Sequence, residues 1–358
     1  MLIAGGDSKR KRPLKTKRDV WQCTSLIPNI SLNVAVIGKA GVGKSSFINA
    51  IRGFDADDDR TTDVADGAIT ADNTSYPHPS NSNVNFCKLP DIGTDRFPRQ
   101  KYLDDKYHIF LLMTDVTESQ GHQPDELTSL GNEYHKQKKK FFFVRTKIGV
   151  EISNKMATTQ DEKAVMREIT ESTQKHLRNN GWEGVQAFVI DSNEPNKFGF
   201  PQLKKCLIEV VSKEMIQLKV AKIRSKDRHP HKVAASTTAK AATSGDAKID
   251  FGGEAESYCK QLGLDEASLK SYAERTSTIY EDLKSIVGRV DEETCKKYVD
   301  EQSFGAFSVV SACVSYIPWI GRMFARFGET YGTLHLVLEK LESAALEVVE
   351  FTIRQSDE

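Results

Sequence analysis

The stretch GKAGVGKS at residues 38–45 fits the pattern G-x-x-x-x-G-K-[ST] of a phosphate-binding loop. The apolar run NVAVI at 33–37 precedes it and predicts a buried strand, and SFINAIR at 46–52 follows it with the apolar spacing of a helix. Glycines let the backbone amides of such a loop converge on phosphate oxygens, and the N-terminus of the helix adds a partial positive charge. Lys44 is expected to reach the outer phosphates, and the Ser45 hydroxyl is expected to ligate Mg²⁺. The alternative is a glycine-rich turn that holds no ligand. The predicted phosphate-binding residues are Gly38, Lys39, Ala40, Gly41, Val42, Gly43, Lys44, Ser45 and Ser46.

Further apolar runs and their spacing predict the fold class. Short apolar runs bounded by turn residues indicate buried strands, and spacers of roughly 10–20 residues between them indicate crossover helices. Repeated units of this kind form a mostly parallel sheet that helices cover on both faces. The polar segment at 61–82 is predicted to be a loop or, at most, an edge strand. The predicted fold is therefore an α/β P-loop NTPase domain, with further strands at 84–87, 108–113, 140–145 and 185–190.

The length of 358 residues predicts two domains, since one domain holds about 100–200 residues. After residue 250 apolar residues recur at three- and four-residue steps, which indicates an all-helical C-terminal domain. A stretch rich in Ser, Thr and Ala precedes it and is typical of an exposed linker. The predicted division is a basic N-terminal tail or short helix at 1–30, the α/β domain at 31–215, a linker at 216–250 and the helical domain at 251–358.

Composition limits the classes of function. Apolar residues make up 39% and charged residues 28% of the chain, which excludes a disordered or fibrous protein. Lys and Arg together number 50, as do Asp and Glu, so no nucleic-acid partner is expected. Six cysteines without a C-x-x-C pair exclude the usual zinc spacings and a disulfide framework. Because no apolar run after Met1 indicates a secretory signal, a cytoplasmic protein is expected.

Residues 9–18, KRKRPLKTKR, carry seven basic side chains and no acidic one. The segment is either a solvated tail or a patch for a membrane surface or nuclear import, because anionic lipid contributes about 1 kcal/mol per nearby cation. The sequence leaves both interpretations open.

Several segments resemble the immunity-related GTPases, an interferon-inducible family that acts on intracellular membranes. The motif-like segments are GKAGVGKSSFINAIRG at 38–53, KLPDIGT at 88–94 and FFFVRTKIG at 141–149. Those that resemble the C-terminal helices of the family lie at 262–275, 310–322 and 338–350. The resemblance implies a G domain that binds GTP or GDP with Mg²⁺ and forms homo- or hetero-dimers. It also implies a role in innate immunity at endomembranes.

The same resemblance assigns further site residues. Thr70 corresponds to the switch threonine that closes over Mg²⁺ and the γ-phosphate, so Ser45 and Thr70 are the implied metal ligands. Two base-binding segments correspond to the T-K-x-D motif and to the loop after the sixth strand. The implied residues around the base are Thr146, Lys147, Ser192 and Asn193.

The sequence departs from the family motifs at three positions. Lys88 replaces the metal-side aspartate of D-x-x-G, and its ammonium repels Mg²⁺. Asp91 replaces the glycine of that motif, and a carboxylate about 4 Å from a phosphate oxygen costs roughly 4 kcal/mol at an effective dielectric near 20. Gly149 replaces the guanine-reading aspartate of T-K-x-D, which forfeits on the order of 10²- to 10⁴-fold in preference for guanine. A restored guanine preference in Gly149→Asp would support this assignment of the base pocket.

These observations predict a guanine-nucleotide-binding protein that holds a diphosphate more readily than a triphosphate and hydrolyses GTP weakly or not at all. The alternative is a non-catalytic pseudo-GTPase scaffold that docks to intact paralogues. A phosphate-loop ATPase or kinase is a third class, which is disfavoured because nothing in the sequence supplies its catalytic carboxylates.

The segment at 302–321 contains no charged residue. Its length would just permit a membrane-spanning helix, but Pro318 interrupts it. Two buried helices joined by a turn, or an interfacial helix that inserts Trp319 into a membrane surface, are the other interpretations. The resemblance adds the expectation of a peripheral membrane contact through 302–327.

Overall fold

The computed structural model describes residues 20–54, 74–93, 102–115, 125–159, 161–226, 252–288 and 330–355. Its strands are β1 (Leu32–Ile37), β2 (Thr74–His78), β3 (Asn81–Lys88), β4 (Ile109–Thr114), β5 (Lys140–Arg145) and β6 (Ala187–Val189). They form one six-stranded sheet in the order β2-β3-β1-β4-β5-β6. All neighbouring strands are parallel except β2 and β3. The predicted mostly parallel sheet is therefore confirmed.

Strand β1 lies in the middle of the sheet and is buried on both faces, since a parallel sheet is covered by helices on both sides. Its alternate residues enter two separate apolar clusters. Val34 and Val36 belong to the cluster on one face, and Ala35 and Ile37 belong to the cluster on the other. This two-sided burial explains why the strand is a continuous apolar run in the sequence rather than an alternating one.

Strand β2 forms the antiparallel edge of the sheet, where Tyr76 pairs with Phe86 of β3. Pro77 lies within β2, and proline is tolerated at an edge because no further strand needs its missing N–H. The predicted alternative of an edge strand is confirmed for residues 74–78. Residues 61–73, which include Thr70, lie outside the described residues.

The helices are α1 (Lys44–Arg52), α2 (Asp125–Lys136), α3 (Ile148–Thr159), α4 (Glu162–Asn179), α5 (Phe200–Lys226), α6 (Gly252–Gln261), α7 (Glu266–Thr276) and α8 (Thr330–Gln355). A 3-10 helix spans Val20–Leu26, and residues 280–288 are also helical. Local sequence explains several of the ends. The Asp161 carboxylate accepts hydrogen bonds from the first backbone amides of α4, and Asp265 accepts one at the start of α7.

Helix α5 continues to Lys226, although the predicted linker begins at residue 216. Ile216, Val220 and Ile223 are buried at helical spacing because α8 packs against this helix. Residues 216–226 therefore belong to the helix rather than to the predicted linker. The remainder of that linker, residues 227–250, lies outside the described residues.

The N-terminal 3-10 helix packs against α5, α7 and α8. Its Trp21 is fully buried in a cluster that also contains residues of β1 and Leu341 of α8. The predicted N-terminal tail at 1–30 thus contains a packed short helix, which joins the sheet to the C-terminal helices. The basic segment at 9–18 lies outside the described residues.

Tyr272 of α7 ties the C-terminal helices to this N-terminal segment. Its hydroxyl donates to the Cys23 carbonyl at 3.0 Å, and the side chain is fully buried. Tyr272→Phe is expected to lower the free energy of unfolding by about 1–2 kcal/mol, because the buried carbonyl loses that donor. Urea denaturation measures the change. Tyr280→Phe is the matched control, since the Tyr280 hydroxyl has no hydrogen-bond partner within the described part of the chain. Equal losses in both variants would contradict the assigned role of the hydrogen bond.

No described helix is both long enough and apolar enough to cross a membrane. The segment at 302–327, for which a membrane contact was predicted, lies outside the described residues.

The carboxyl ends of the parallel strands meet at one edge of the sheet, where ligands of open α/β folds bind. The loops that follow β1, β3, β4, β5 and β6 begin at this edge. They contribute Gly38, Asp91, Asp115, Thr146 and Asp191, respectively.

Candidate nucleotide-binding site

The loop at 38–45 joins the end of β1 to the start of α1, as the sequence predicts. Gly41 and Gly43 have φ angles of 78° and 90°, which glycine adopts without strain. A Cβ on Gly38 would lie 2.5 Å from the Met113 carbonyl oxygen of β4, so only glycine fits there. The first backbone amides of a helix generally lack carbonyl partners within that helix, which makes a junction of this kind suited to an anion.

The Lys44 side chain turns back into the loop. Its ammonium donates to the carbonyl oxygens of Gly38 at 2.9 Å and Lys39 at 2.6 Å. It also donates to Asp91 Oδ1 at 2.5 Å. Lys44 is only 4% exposed, so its ammonium is largely desolvated. The Asp91 carboxylate neutralises its charge there.

Backbone hydrogen bonds hold the segment that carries Asp91 against the loop. The Leu89 amide donates to the Val36 carbonyl at 3.1 Å, and the Ile92 amide donates to the Gly38 carbonyl at 3.3 Å. The Asp91 side chain is about 37% exposed, so its carboxylate lies at the rim of the loop. A carboxylate thus accepts from the loop lysine at the position where the resemblance implies a phosphate-contacting glycine.

Thr146 connects the phosphate loop to the loop that follows β5. Its hydroxyl donates to the Val42 carbonyl at 2.7 Å, and its backbone amide donates to the Thr114 carbonyl at 2.8 Å. The neighbouring Lys147 has a φ of 60°, and its ammonium pairs with Asp115 Oδ2 at 3.1 Å. The two residues predicted to flank a base therefore lie in a loop that is attached directly to the phosphate loop.

Gly149 lies against Asp191, which follows β6. The Gly149 amide donates to Asp191 Oδ2 at 3.0 Å, and the Asn193 amide donates to Asp191 Oδ1 at 2.9 Å. A Cβ on Gly149 would lie 2.4 Å from Asp191 Oδ2. Gly149→Asp would therefore require the Asp191 carboxylate to move, because the new Cβ would meet Asp191 Oδ2.

A buried ion pair stabilises the loop that carries Gly149. Arg145, the last residue of β5, donates to Glu151 Oε2 of α3 at 2.9 Å and to Ser172 Oγ of α4 at 2.9 Å. Burial lowers the pKa of Arg145, and the Glu151 carboxylate opposes this shift by favouring the charged guanidinium. Arg145, which directly precedes residues 146–149, thereby connects β5 to both α3 and α4.

The remaining predicted residues are placed as follows. Ser45 is buried at the start of α1, Ser192 is half-buried, and Asn193 is exposed. Thr70 lies outside the described residues. The segment Asp191-Ser192-Asn193 was predicted to line the base, but no individual role was predicted for Asp191.

Of the positions that the resemblance assigns to Mg²⁺, the described part of the chain includes Ser45 and Lys88, which together do not make a full site. Mg²⁺ requires oxygen ligands, and Ser45 offers one. Position 88, at the end of β3, offers an ammonium group in place of a carboxylate.

The family model and the curated relatives agree on one family. The family model described as "Interferon-inducible GTPase (IIGP)" matches residues 14–313. Interferon-inducible GTPase 5 of Rattus norvegicus is 29% identical over 340 residues, which cover 86% of this chain and 72% of the rat protein. Interferon-gamma-inducible GTPase 10 of Mus musculus is 32% identical over 190 residues, which cover 51% of this chain and 44% of the mouse protein. Among solved structures, the G domain of the T. maritima FeoB iron transporter matches with a TM-score of 0.30 and 20% identity, over 50% of this chain and 98% of that chain.

Proposed function

The chain belongs to the interferon-inducible GTPase family, and on that premise we propose that it binds guanine nucleotides, holds GDP more tightly than GTP, and hydrolyses GTP weakly or not at all. The phosphates would lie in the loop at 38–45, and the base would lie against the loops that begin at Thr146 and Asp191.

The observation that carries the proposal is the conformation of the loop at 38–45. Two glycines of the loop have positive φ, a third packs on β4, and the loop leads directly into α1. A glycine-rich loop at the start of a helix can turn its backbone amides toward one concave surface. Such a surface binds the oxygens of a diphosphate through backbone donors and the helix dipole. The buried Lys44 ammonium would add positive charge where a phosphate displaces Asp91 from it.

The preference for GDP follows from Asp91. Its carboxylate accepts from the Lys44 ammonium at 2.5 Å, which is the contact that the outermost phosphate would otherwise make. A γ-phosphate must displace this carboxylate or remain beside it, and both cost free energy through desolvation or like-charge repulsion. A diphosphate brings fewer charges to the same rim.

We also propose that Mg²⁺ contributes little to binding. Lys88 stands where the resemblance implies a metal-side carboxylate, and Ser45 supplies a single hydroxyl. Because the Asp91 carboxylate at the rim of the loop is paired with Lys44, water and phosphate would supply most of the ion's ligands.

Calorimetry on the purified full chain tests the proposal. GDP is expected to bind, and GTP is expected to bind at least about tenfold more weakly. Replacing Mg²⁺ by EDTA is expected to change the affinity for GDP by less than about tenfold. Phosphate release from GTP is expected to stay near background. Brisk GTP turnover that Lys44→Ala abolishes would contradict the proposed weak hydrolysis, and no binding of either nucleotide would contradict the whole proposal.

A second candidate is a pseudo-GTPase scaffold that docks to intact paralogues through its G domain. The Lys44–Asp91 ion pair favours it, because the pair neutralises the loop lysine within the chain itself. In this case the oligomeric state, measured by analytical ultracentrifugation with and without GDP, would not depend on nucleotide.

Peripheral contact with endomembranes through 302–327 also remains a proposal, drawn from the family. Flotation of the full chain with anionic vesicles, compared with Trp319→Ser, tests it. Failure of the wild type to float would contradict it.

A further inference from the structure

We propose that Asp191 determines base specificity, by supplying from the loop after β6 the carboxylate that position 149 lacks. This inference rests on the proposed nucleotide site and deepens it. The ligand class is a purine nucleotide whose base presents two adjacent N–H donors, which is guanine rather than adenine.

The Asp191 carboxylate occupies the space beside Gly149. A side chain on residue 149 would begin with a Cβ that lies 2.4 Å from Asp191 Oδ2 and 3.5 Å from its carboxyl carbon. The carboxyl group of Asp191 therefore lies where a residue-149 side chain would start. Glycine at 149 and aspartate at 191 are sterically complementary, because any larger residue at 149 would displace the carboxylate.

The same carboxylate can accept further hydrogen bonds. An ionised carboxylate has about four lone-pair positions. The Gly149 amide bonds to Oδ2 and the Asn193 amide bonds to Oδ1, so each oxygen receives one backbone donor. Each oxygen can accept a second donor, and two parallel acceptors match the N1–H and N2–H groups of guanine. Adenine presents an acceptor at N1 and no amino group at C2, so it would face the carboxylate with a lone pair.

The Asp191 carboxylate also lies in a fixed position. Asp191 is only 7% exposed and is held by two backbone amides, so its orientation is set before any ligand arrives. Its partner Gly149 lies at the start of α3, directly after the segment that Thr146 attaches to the Val42 carbonyl of the phosphate loop. A purine attached to a diphosphate in the phosphate loop would extend toward this carboxylate.

A merely structural role for Asp191 makes a different prediction. If the carboxylate only ordered the turn to Asn193, its loss would weaken the binding of every nucleotide by the same factor. A base-reading role changes the ratio of affinities instead. The test is therefore a ratio of dissociation constants for GDP, ADP and xanthosine diphosphate, measured by calorimetry on the full chain.

Wild-type protein is expected to bind GDP at least about tenfold more tightly than ADP. Asp191→Ser is expected to bring that ratio to within about twofold of one. Gly149→Asp alone is expected to weaken GDP binding, because the new Cβ meets the existing carboxylate. The double variant Gly149→Asp/Asp191→Ser removes that conflict and is expected to recover the preference for GDP. Recovery by the reciprocal exchange is the result that a structural role would not produce.

Asp191→Asn supplies a second, gain-of-specificity measurement. The amide offers one acceptor and one donor, which matches the N1–H donor and the O2 acceptor of xanthine. Its NH2 group cannot accept from one of the two backbone amides that the carboxylate held, so all affinities are expected to fall and the ratio is the quantity measured. The ratio of GDP affinity to xanthosine diphosphate affinity is expected to shift by about tenfold toward xanthine.

The outcomes separate the two proposals. Wild type that binds GDP, combined with an unchanged GDP-to-ADP ratio in Asp191→Ser, overturns the role of Asp191 and leaves the nucleotide site standing. Wild type that binds no nucleotide at about 1 mM overturns both proposals.

Discussion

Asp91→Gly should raise the affinity for GTP by about 100-fold. In the wild type the Asp91 carboxylate accepts from Lys44 at 2.5 Å, at the rim where a γ-phosphate would lie. Two unit charges about 4 Å apart repel by roughly 4 kcal/mol at an effective dielectric near 20. Because the carboxylate is partly exposed, solvent screening reduces this to about 2.8 kcal/mol, which corresponds to the expected 100-fold.

The gain for GDP should be smaller than the gain for GTP, because GDP carries no γ-phosphate. Asp91→Asn keeps the shape of the side chain and removes its charge, so it should reproduce most of the effect if repulsion is the cause. Asp105→Asn is the matched control, since it removes one negative charge from a fully exposed side chain. Fluorescent-nucleotide titration with competition by GTP and GDP measures all four proteins. An unchanged or lower affinity for GTP in Asp91→Gly would show that Asp91 does not oppose the triphosphate.

Asp91→Gly alone should not restore brisk hydrolysis. The ammonium of Lys88 still stands at the position that the resemblance assigns to the metal-side carboxylate. Phosphate release measured beside the titration distinguishes tighter binding from turnover.

Lys44→Ala should weaken the binding of both GDP and GTP by about 10³-fold. Each charge-assisted hydrogen bond from the ammonium to phosphate contributes about 1.5–3 kcal/mol, and the variant loses at least two of them. It also leaves Asp91 without the cation that neutralises it in the wild type. The remaining carboxylate then repels phosphate, which adds to the loss.

The double variant Lys44→Ala/Asp91→Asn tests this second contribution. It should recover about tenfold of the lost affinity, because the uncompensated charge is gone. Lys270→Ala is the matched control, since it removes an exposed ammonium from α7, in the C-terminal helices. Thermal unfolding of each variant shows whether the fold is retained. Wild-type affinity in Lys44→Ala would mean that phosphates do not bind in this loop.

Local patterns in the sequence predicted most of the fold. The runs at 33–37, 108–113 and 140–145 are buried strands because continuous apolar sequence is stable only when both faces of a strand are covered. The loop at 38–45 was predicted from its own residues, because its conformation depends on glycines within it. The linker was predicted to begin too early, at residue 216. Residues 216–226 continue α5, which packs against α8.

The partners of the charged residues at the candidate site could not be predicted in the same way. Asp91 and Gly149 were identified from the sequence as departures from a motif, and their consequences were judged one position at a time. Lys44 meets Asp91 across 47 residues of chain, and Gly149 meets Asp191 across 42 residues. No local pattern encodes a distance between two such positions.

The amino-acid sequence alone was thus sufficient to predict the phosphate loop, the parallel sheet and the family, since each depends on residues that are neighbours in sequence. The folded arrangement alone revealed that one aspartate neutralises the loop lysine and that another fills the space beside Gly149. The reason is that parallel strands bring the ends of distant segments to one edge of a sheet, where the charge and volume of one side chain limit what its neighbour can be.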